Sequence, residues 1–384
     1  MRIVIAPDSF KGSLSAREAG RAIERGVQRG LPGREVIVLP MADGGEGTME
    51  ALVEATQGSY IESVVMDPLG REIQASFGIL GDRKTAVIEL AESSGLYRIT
   101  EKERNPLRTT TYGFGQLILA ALDRGCRQFI LGLGGSATND GGAGMLQALG
   151  VELLDGTGQP IGSGGGELSR LADIRVAGLD RRIRESRFLV ACDVDHPLVG
   201  RAGASAVFGP QKGATPAMVE QLDGNLRHYA DLIERTQGIA IHQVAGAGAA
   251  GGLCGGILAF LPAQVEAGVE LVSRHLGLEE AIRGADLVIT GEGRVDAQTR
   301  HGKVPCGVAR LARRHGVPAI ALAGTVGDGA ETLYAEGIDA IFSIVNRPMT
   351  LQEAMACAIP LLEQAAEQAI RLFETGRHAG GRYG

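Results

Sequence analysis

The sequence predicts an α/β protein, a doubly wound parallel sheet built from both ends of the chain with a second α/β domain inserted into it. Both ends alternate short apolar runs with helical segments. The middle has a different texture, and the presumed strand ends run into loops rich in acids, lysine and glycine. A helical crossover between short apolar strands implies parallel pairing. Two N-terminal and three C-terminal strands then complete a five-stranded sheet.

The first strand is Ile3–Ala6, followed by a polar loop over Asp8–Ser15. Ala16–Arg29 is helical, because Ala19, Ala22, Ile23 and Val27 recur at helical spacing, and Val36–Leu39 is a second strand. The middle opens with strand-like alternation in Ile73–Leu80 and Ala86–Leu90. A helix over Tyr112–Asp123, a strand over Gln128–Leu133 and a glycine loop follow, and Phe188–Cys192 is a further apolar strand. Near the other end, a short buried strand (Leu287–Thr290) leads into a glycine turn carrying Glu292, Arg294 and Asp296. After it come a helix (Val304–Arg314), strands at Ala319–Ala323 and Ala340–Ile344, and one amphipathic helix over Leu351–Phe373. The expected domains are therefore 1–62 with 284–376, an insert of 63–283, and a frayed tail of 377–384.

Composition narrows the class. The 384 residues are 44% hydrophobic and 22% charged, enough for two cores of ordinary size. A net charge of −7 argues against a broad nucleic-acid surface, which needs a basic stripe. Val244–Leu261 is uncharged over 18 residues, yet it holds six glycines and is closed by Pro262, so it reads as tightly packed interior and not as a membrane span. The N-terminus enters a strand at once, and Cys126, Cys192, Cys254, Cys306 and Cys357 are dispersed without a C-x-x-C pair. Both features suggest a cytoplasmic protein with reduced thiols. Of 38 basic residues only Lys11, Lys84, Lys102, Lys212 and Lys303 are lysine. Three of these, Lys11, Lys212 and Lys303, stand in glycine-rich or turn-like loops, where a compact ammonium differs from a guanidinium.

The chemistry gathers at the carboxyl ends of the strands, where open parallel sheets bind ligands. That edge carries Asp8, Ser9 and Lys11; Asp43 and Glu46; Glu292, Arg294 and Asp296; and Thr325 and Asp328. The insert adds Gln128–Gly150, a strand, glycine loop and helix whose backbone N–H groups suit a polyanion. Within it, Asn139 and Asp140 either orient a ligand or cap the helix. Asp193 and Asp195 close an apolar strand, Lys212 sits on a turn, and Arg104 is free to meet an acid. The seven histidines show no ligand spacing. Gly302-Lys303 is followed by valine, so there is no Walker A loop. A formal G-x-G-x-x-G at Gly246–Gly251, with Glu270 beyond it, raises a dinucleotide reading, but the glycines after it make a poor helix and favour close packing.

At these residues the chain resembles the bacterial glycerate kinase family, in IAPDSFKGSLSA, MADGGEGT, NPLRTTTYGFG, LGLGGSATNDGGAG, CDVDHPL, FGPQKGA, GAGAAGGL and TGEGRVDAQTRHGKVP. The resemblance spans nearly the whole chain. It implies a flavodoxin-like domain with an inserted α/β domain, and ATP-dependent phosphorylation of D-glycerate to 2-phosphoglycerate. A hypothesis built on it has the two domains enclose ATP·Mg²⁺ and glycerate in the cleft between them, while composition speaks against a nucleic-acid or membrane partner. Phosphoryl transfer requires a neutralised triphosphate, an in-line hydroxyl and a proton acceptor. Under that reading Asp193 is the first candidate for the base and Asp8 the second, while Lys11 and Lys212 counter the transferring charge. Asp43, Glu292 or Asp296 hold the metal. Arg104 or Arg294 grip the glycerate carboxylate, with Ser9 and Asn139 beside the substrate. Gly134, Gly135, Ser136, Gly291, Gly293 and Lys303 surround the ATP phosphates. Three alternatives stand behind this reading: a glycerate kinase forming 3-phosphoglycerate, an NAD-dependent hydroxy-acid oxidoreductase, and a non-catalytic sensor of a small acid.

Overall fold

The computed structural model describes residues 1–300 and 302–380. The chain folds as two compact units, one gathering Met1–Asp43 with the chain from Ala267 onward, the other formed by Gly44–Glu266. In chain order the strands are β1 (Arg2–Ile5), β2 (Glu35–Val38), β3 (Ser59–Met66), β4 (Glu72–Ile79), β5 (Thr85–Glu89), β6 (Gln128–Gly132), β7 (Glu152–Asp155), β8 (Leu171–Arg175), β9 (Arg187–Ala191), β10 (Ala263–Glu266), β11 (Leu287–Val295), β12 (Ala319–Val326) and β13 (Ala340–Ser343).

The first unit is built on a five-stranded sheet of order β13-β12-β11-β1-β2, every pair parallel. That is the flavodoxin-like order, reversing direction between β1 and β11. Ile3, Ile5, Leu287, Ile289, Ile320 and Leu322 share a core with the helices Ala16–Gly30 and Ala358–Gly380. The intervening Val4, Val288 and Ala321 are fully buried too, and the helix Val304–Arg314 packs on β11 and β12. Burial on both faces explains why these strands are continuously apolar. Ala16–Gly30 starts at a capping box in which Ser15 and Glu18 satisfy each other's backbone N–H. Its Gly26 lets the long C-terminal helix approach closely, since a Cβ there would lie 2.2 Å from the Glu363 carbonyl.

The second unit holds a six-stranded sheet of order β10-β9-β6-β5-β4-β3, parallel from β10 to β5 and antiparallel from β5 to β3. A separate antiparallel pair is formed by β7 and β8. Its core includes the stacked rings of Phe129 and Phe188, 4.6 Å apart.

Several expected boundaries move. The units divide at 43/44 and 266/267, not at 62/63 and 283/284. The reason is that β3 pairs along its length with β4, while Gly268–His275 packs on Val304–Arg314. The expected turn after Leu287–Thr290 is a strand, because β11 stays paired with β12 through Arg294↔Thr325 and Val295↔Val326. Its glycines serve close approach: a Cβ on Gly291 would lie 2.2 Å from the Leu322 carbonyl. The expected single helix over Leu351–Phe373 is two, Leu351–Ala356 and Ala358–Gly380. Pro360 in the new first turn has no N–H to continue the earlier ladder. Of the expected tail, 377–380 continue the helix Ala358–Gly380, and 381–384 lie outside the described residues. Among the described residues no helix is long and apolar enough to cross a membrane.

Candidate functional site

At the switch point of the first unit, β1 and β11 are tied beyond their last paired residues. Asp8 N–H donates to the Gly291 carbonyl at 2.8 Å, and the Thr290 hydroxyl donates to the Ala6 carbonyl at 2.8 Å. The chain after β1 then turns tightly, Phe10 N–H donating to Leu14 O at 2.9 Å, and this turn lies over Gly293. The result is a cavity of about 460 Å³. Its polar lining includes Ser9, Lys11, Asp43, Glu292, Arg294 and Lys303. Its apolar lining includes Ile344, Val345, Leu351, Ala354 and Met355.

The polar lining is electrostatically loaded. Burial, reinforced by Asp43 and Glu292, pushes the Asp8 carboxyl up to about 7, although the Ser9 N–H donates to it at 2.6 Å. Burial also raises Glu292, against the Lys303 ammonium at 3.5 Å and the Thr299 hydroxyl at 2.7 Å. Asp296 is placed differently. Despite some burial it is held below the usual carboxylate range by Arg294, 2.8 Å away, and by the Gln298 N–H. Of the three carboxylates expected to hold a metal, Asp43 and Glu292 line the cavity and Asp296 is committed to Arg294. Among the described residues no three His, Cys, Asp or Glu side chains converge as a metal cage. Asp8, buried and acted on by Asp43 and Glu292, adds a third acid to the two that line the cavity. That suits Mg²⁺, which is usually held by one or two carboxylates together with substrate phosphates. Lys11 and Arg294 are exposed in this lining, and Lys303 stands at the N-terminus of the helix Val304–Arg314.

The second unit gathers the remaining candidates at the carboxyl ends of β5, β6 and β9. Gly44 fits against Ala191 and Gly134 against Gly45, approaches of 2.6 and 2.8 Å for an added Cβ, so only glycine backbone packs here. Glu89, at the end of β5, accepts from Met49 N–H at 2.7 Å and anchors the start of the helix Thr48–Ala55. Burial, with Glu92 and Glu46 adding to it, drives Glu89 up to about 7. Asp193 lies two residues past β9 and is partly exposed.

The glycine loop after β6 has an open front and a closed back. Gly135 is exposed, with φ +71°. Behind it Lys212 is 1% exposed, and its ammonium donates to Ser136 Oγ at 2.7 Å and to the Thr138 carbonyl at 2.6 Å. Burial brings that ammonium down to about 7, Asp140 opposing the shift. Asp140, fully buried, accepts from Thr111 N–H and hydroxyl at 2.8 and 2.9 Å and from the N–H groups of Gly142 and Gly144. Its pKa is nevertheless raised, because burial outweighs those donors. Asn139 donates to Ser205 Oγ at 2.9 Å, while its Oδ1 is buried without a hydrogen-bond partner. Arg104 Nε is likewise buried and unpartnered, on the segment against which Gly213 packs.

The expected residues therefore fall into two groups. Asp8, Ser9, Lys11, Asp43, Gly291, Glu292, Gly293, Arg294, Asp296 and Lys303 belong to the first unit, and Arg104, Gly134, Gly135, Ser136, Asn139, Asp193 and Lys212 to the second. The apolar wall from Ile344 to Met355 was not anticipated, and neither was Glu89. Glu89 was legible as one more acid ending an apolar strand, whereas nothing local marks the wall. The G-x-G-x-x-G segment is packed closely: a Cβ on Gly251 would lie 2.0 Å from the Thr138 carbonyl, and one on Gly248 2.3 Å from the Pro197 carbonyl. Backbone occupies the approach that a dinucleotide pyrophosphate would need, which removes the support for the oxidoreductase reading.

One open α/β unit with an acid- and lysine-lined cavity at its switch point, and a second unit with a pinned glycine loop, are features that suit a protein handling anionic ligands. The comparisons narrow this. The profile of the glycerate kinase family matches residues 3–374. A glycerate kinase of Halalkalibacterium halodurans is 54% identical over 95% of this chain and 96% of its own length. The glycerate 2-kinase of Escherichia coli K12 is 49% identical over 99% of this chain and 100% of its own. A crystal structure of a Salmonella typhimurium LT2 protein, provisionally titled glycerate kinase 2, superposes with a TM-score of 0.88 at 49% identity, covering 98% of this chain and 99% of that one. The chain belongs to the glycerate kinase family, and it is a kinase.

Proposed function

We propose that this protein is a cytoplasmic glycerate 2-kinase, transferring the γ-phosphoryl group of ATP to the 2-hydroxyl of D-glycerate and giving 2-phosphoglycerate and ADP. The observation that carries the proposal is the end-to-end match to a relative named glycerate 2-kinase. The site chemistry supports it. Asp193 is the proposed acceptor of the hydroxyl proton, being a partly exposed carboxylate at a strand end. Lys11 supplies mobile positive charge for the transferring group. Lys212 is reassigned: its ammonium holds the glycine loop from behind, so that Gly134, Gly135 and the Ser136 backbone present a fixed surface to an anion. For the glycerate carboxylate Arg104 is preferred, because Arg294 is already engaged by Asp296. Mg²⁺, when bound with ATP, neutralises phosphate charge, and Asp43 and Glu292, with Asp8 beside them, are the proposed holders.

The test couples ATP, Mg²⁺ and D-glycerate to enolase with no mutase present. Immediate phosphoenolpyruvate is the expected result. ADP release that yields phosphoenolpyruvate only after a mutase is added means phosphorylation at O3. No ADP at all removes glycerate as substrate.

A further inference from the structure

The cavity of the first unit is larger and more apolar than a three-carbon hydroxy acid requires. Its apolar wall comes from Ile344 and Val345, just past β13, and from Leu351, Ala354 and Met355 of the short helix Leu351–Ala356. Leu351 is 70% exposed, a large apolar side chain with little covering it. This wall is built to stay in place. The Thr350–Glu353 capping box fixes the helix start, and the Ser13 hydroxyl donates to the Met355 carbonyl at 2.9 Å. Gly12, at φ +76°, leaves room for the Met355 methyl, which an added Cβ would meet at 3.0 Å. The turn that carries Lys11 and the apolar wall are therefore held to each other. A volume of about 460 Å³, lined both by apolar side chains and by Lys11, Arg294 and Lys303, suits a ligand with a flat ring and an anionic tail. It also lies where open α/β sheets bind such ligands.

We propose that this cavity is the nucleotide subsite: the adenine ring lies against Ile344, Val345, Leu351, Ala354 and Met355, and the phosphates run toward Lys11 and Lys303. The assignment rests on ATP being the phosphoryl donor. It gives the nucleotide to the first unit and leaves Arg104, Asn139 and Asp193 of the second for glycerate. Nucleotide binding then needs no glycerate, and ring-end changes act on ATP alone.

Two measurements on the full-length enzyme decide it. Irradiation with 8-azido-ATP, without glycerate, followed by peptide mass spectrometry, places the adduct within residues 344–358. An adduct confined to peptides of residues 44–266 overturns the subsite. In steady state, Ala354→Trp, which fills the ring end, raises KM for ATP roughly tenfold and leaves KM for D-glycerate within about twofold. Leu351→Glu, at an exposed position that leaves folding undisturbed, moves KM for ATP in the same direction. If KM for glycerate rises instead, the cavity holds the acid; if neither KM moves, it holds no part of either substrate. Each of those results rejects the proposal. Wild-type turnover of ATP and D-glycerate with failed labelling and unmoved KM rejects the subsite alone, whereas absence of ADP from the wild type rejects the kinase reading beneath it.

Discussion

The loop after β6 and the loops after β1 and β11 share one local vocabulary, an apolar strand, then glycine, acid and a nearby lysine, yet they fold to opposite ends. After β6 the polar groups turn inward: Lys212, Asp140 and Asn139 are all nearly inaccessible, and Ser136, Thr138, Thr111 and Ser205 engage them. After β1 and β11 only the cations turn outward: Lys11 and Arg294 are exposed on the rim of a cavity, while Asp8 and Glu292 are buried. A buried ion demands compensation at every lone pair and proton. The first loop is therefore a scaffold pinned from behind that leaves Gly135 exposed. At the second site the cationic side chains stay in solvent. One lysine is enclosed in the interior and the other is exposed.

The sharpest way to break this contrast is Asp140→Ala. It strands the Thr111 hydroxyl and the N–H groups of Thr111, Gly142 and Gly144 in the interior, so a loss on the order of 3 kcal/mol is expected in denaturant unfolding. A loss below about 1 kcal/mol would show that the scaffold does not depend on this carboxylate.

Lys212→Met comes next, with roughly 2 kcal/mol lost and a fall in kcat. Lys212→Arg is expected not to restore activity, because a fully enclosed ammonium leaves no room for a guanidinium. Full turnover of the arginine variant would return Lys212 to a direct role on substrate.

Glu89 offers a pH test. Its folded pKa of about 7 lies above the ordinary carboxylate value, so the native state holds the proton more tightly. Stability from this group is complete below the unfolded pKa and is lost as pH rises through about 7. Glu89→Gln keeps an acceptor for Met49 N–H and removes the buried charge. Its Tm relative to wild type should match at pH 5 and exceed it at pH 8. Parallel Tm curves across that range would remove Glu89 as the titrating group.

The smallest stability effect belongs to Lys11→Ala. An exposed side chain gives an unchanged unfolding midpoint, while KM for ATP rises. A shifted midpoint with unchanged KM would make Lys11 structural and erase the distinction between the two loops.

Much of this was legible in the chain itself. Apolar runs such as Ile3–Ala6 and Ala319–Ala323 mark buried parallel strands because both of their faces must be apolar. The Ala16–Arg29 spacing marks a helix because one stripe faces a core, and the long motifs mark the family. The glycines of Gly246–Gly251 were legible as packing because too many follow to support a helix. Other features depended on partners far away in sequence. Gly291 and Gly293 look like a turn until β12 is seen alongside them. Lys212 looks like a ligand-binding cation until Ser136, 76 residues earlier, and Thr138, 74 earlier, enclose it. The wall from Ile344 to Met355 lines a cavity only because the turn after β1 packs against it. Secondary structure, core faces and family follow from local pattern, since periodic burial is written along the chain. Whether a charged group faces ligand or interior was decided by tertiary structure, because desolvation and compensation depend on which distant atoms surround it.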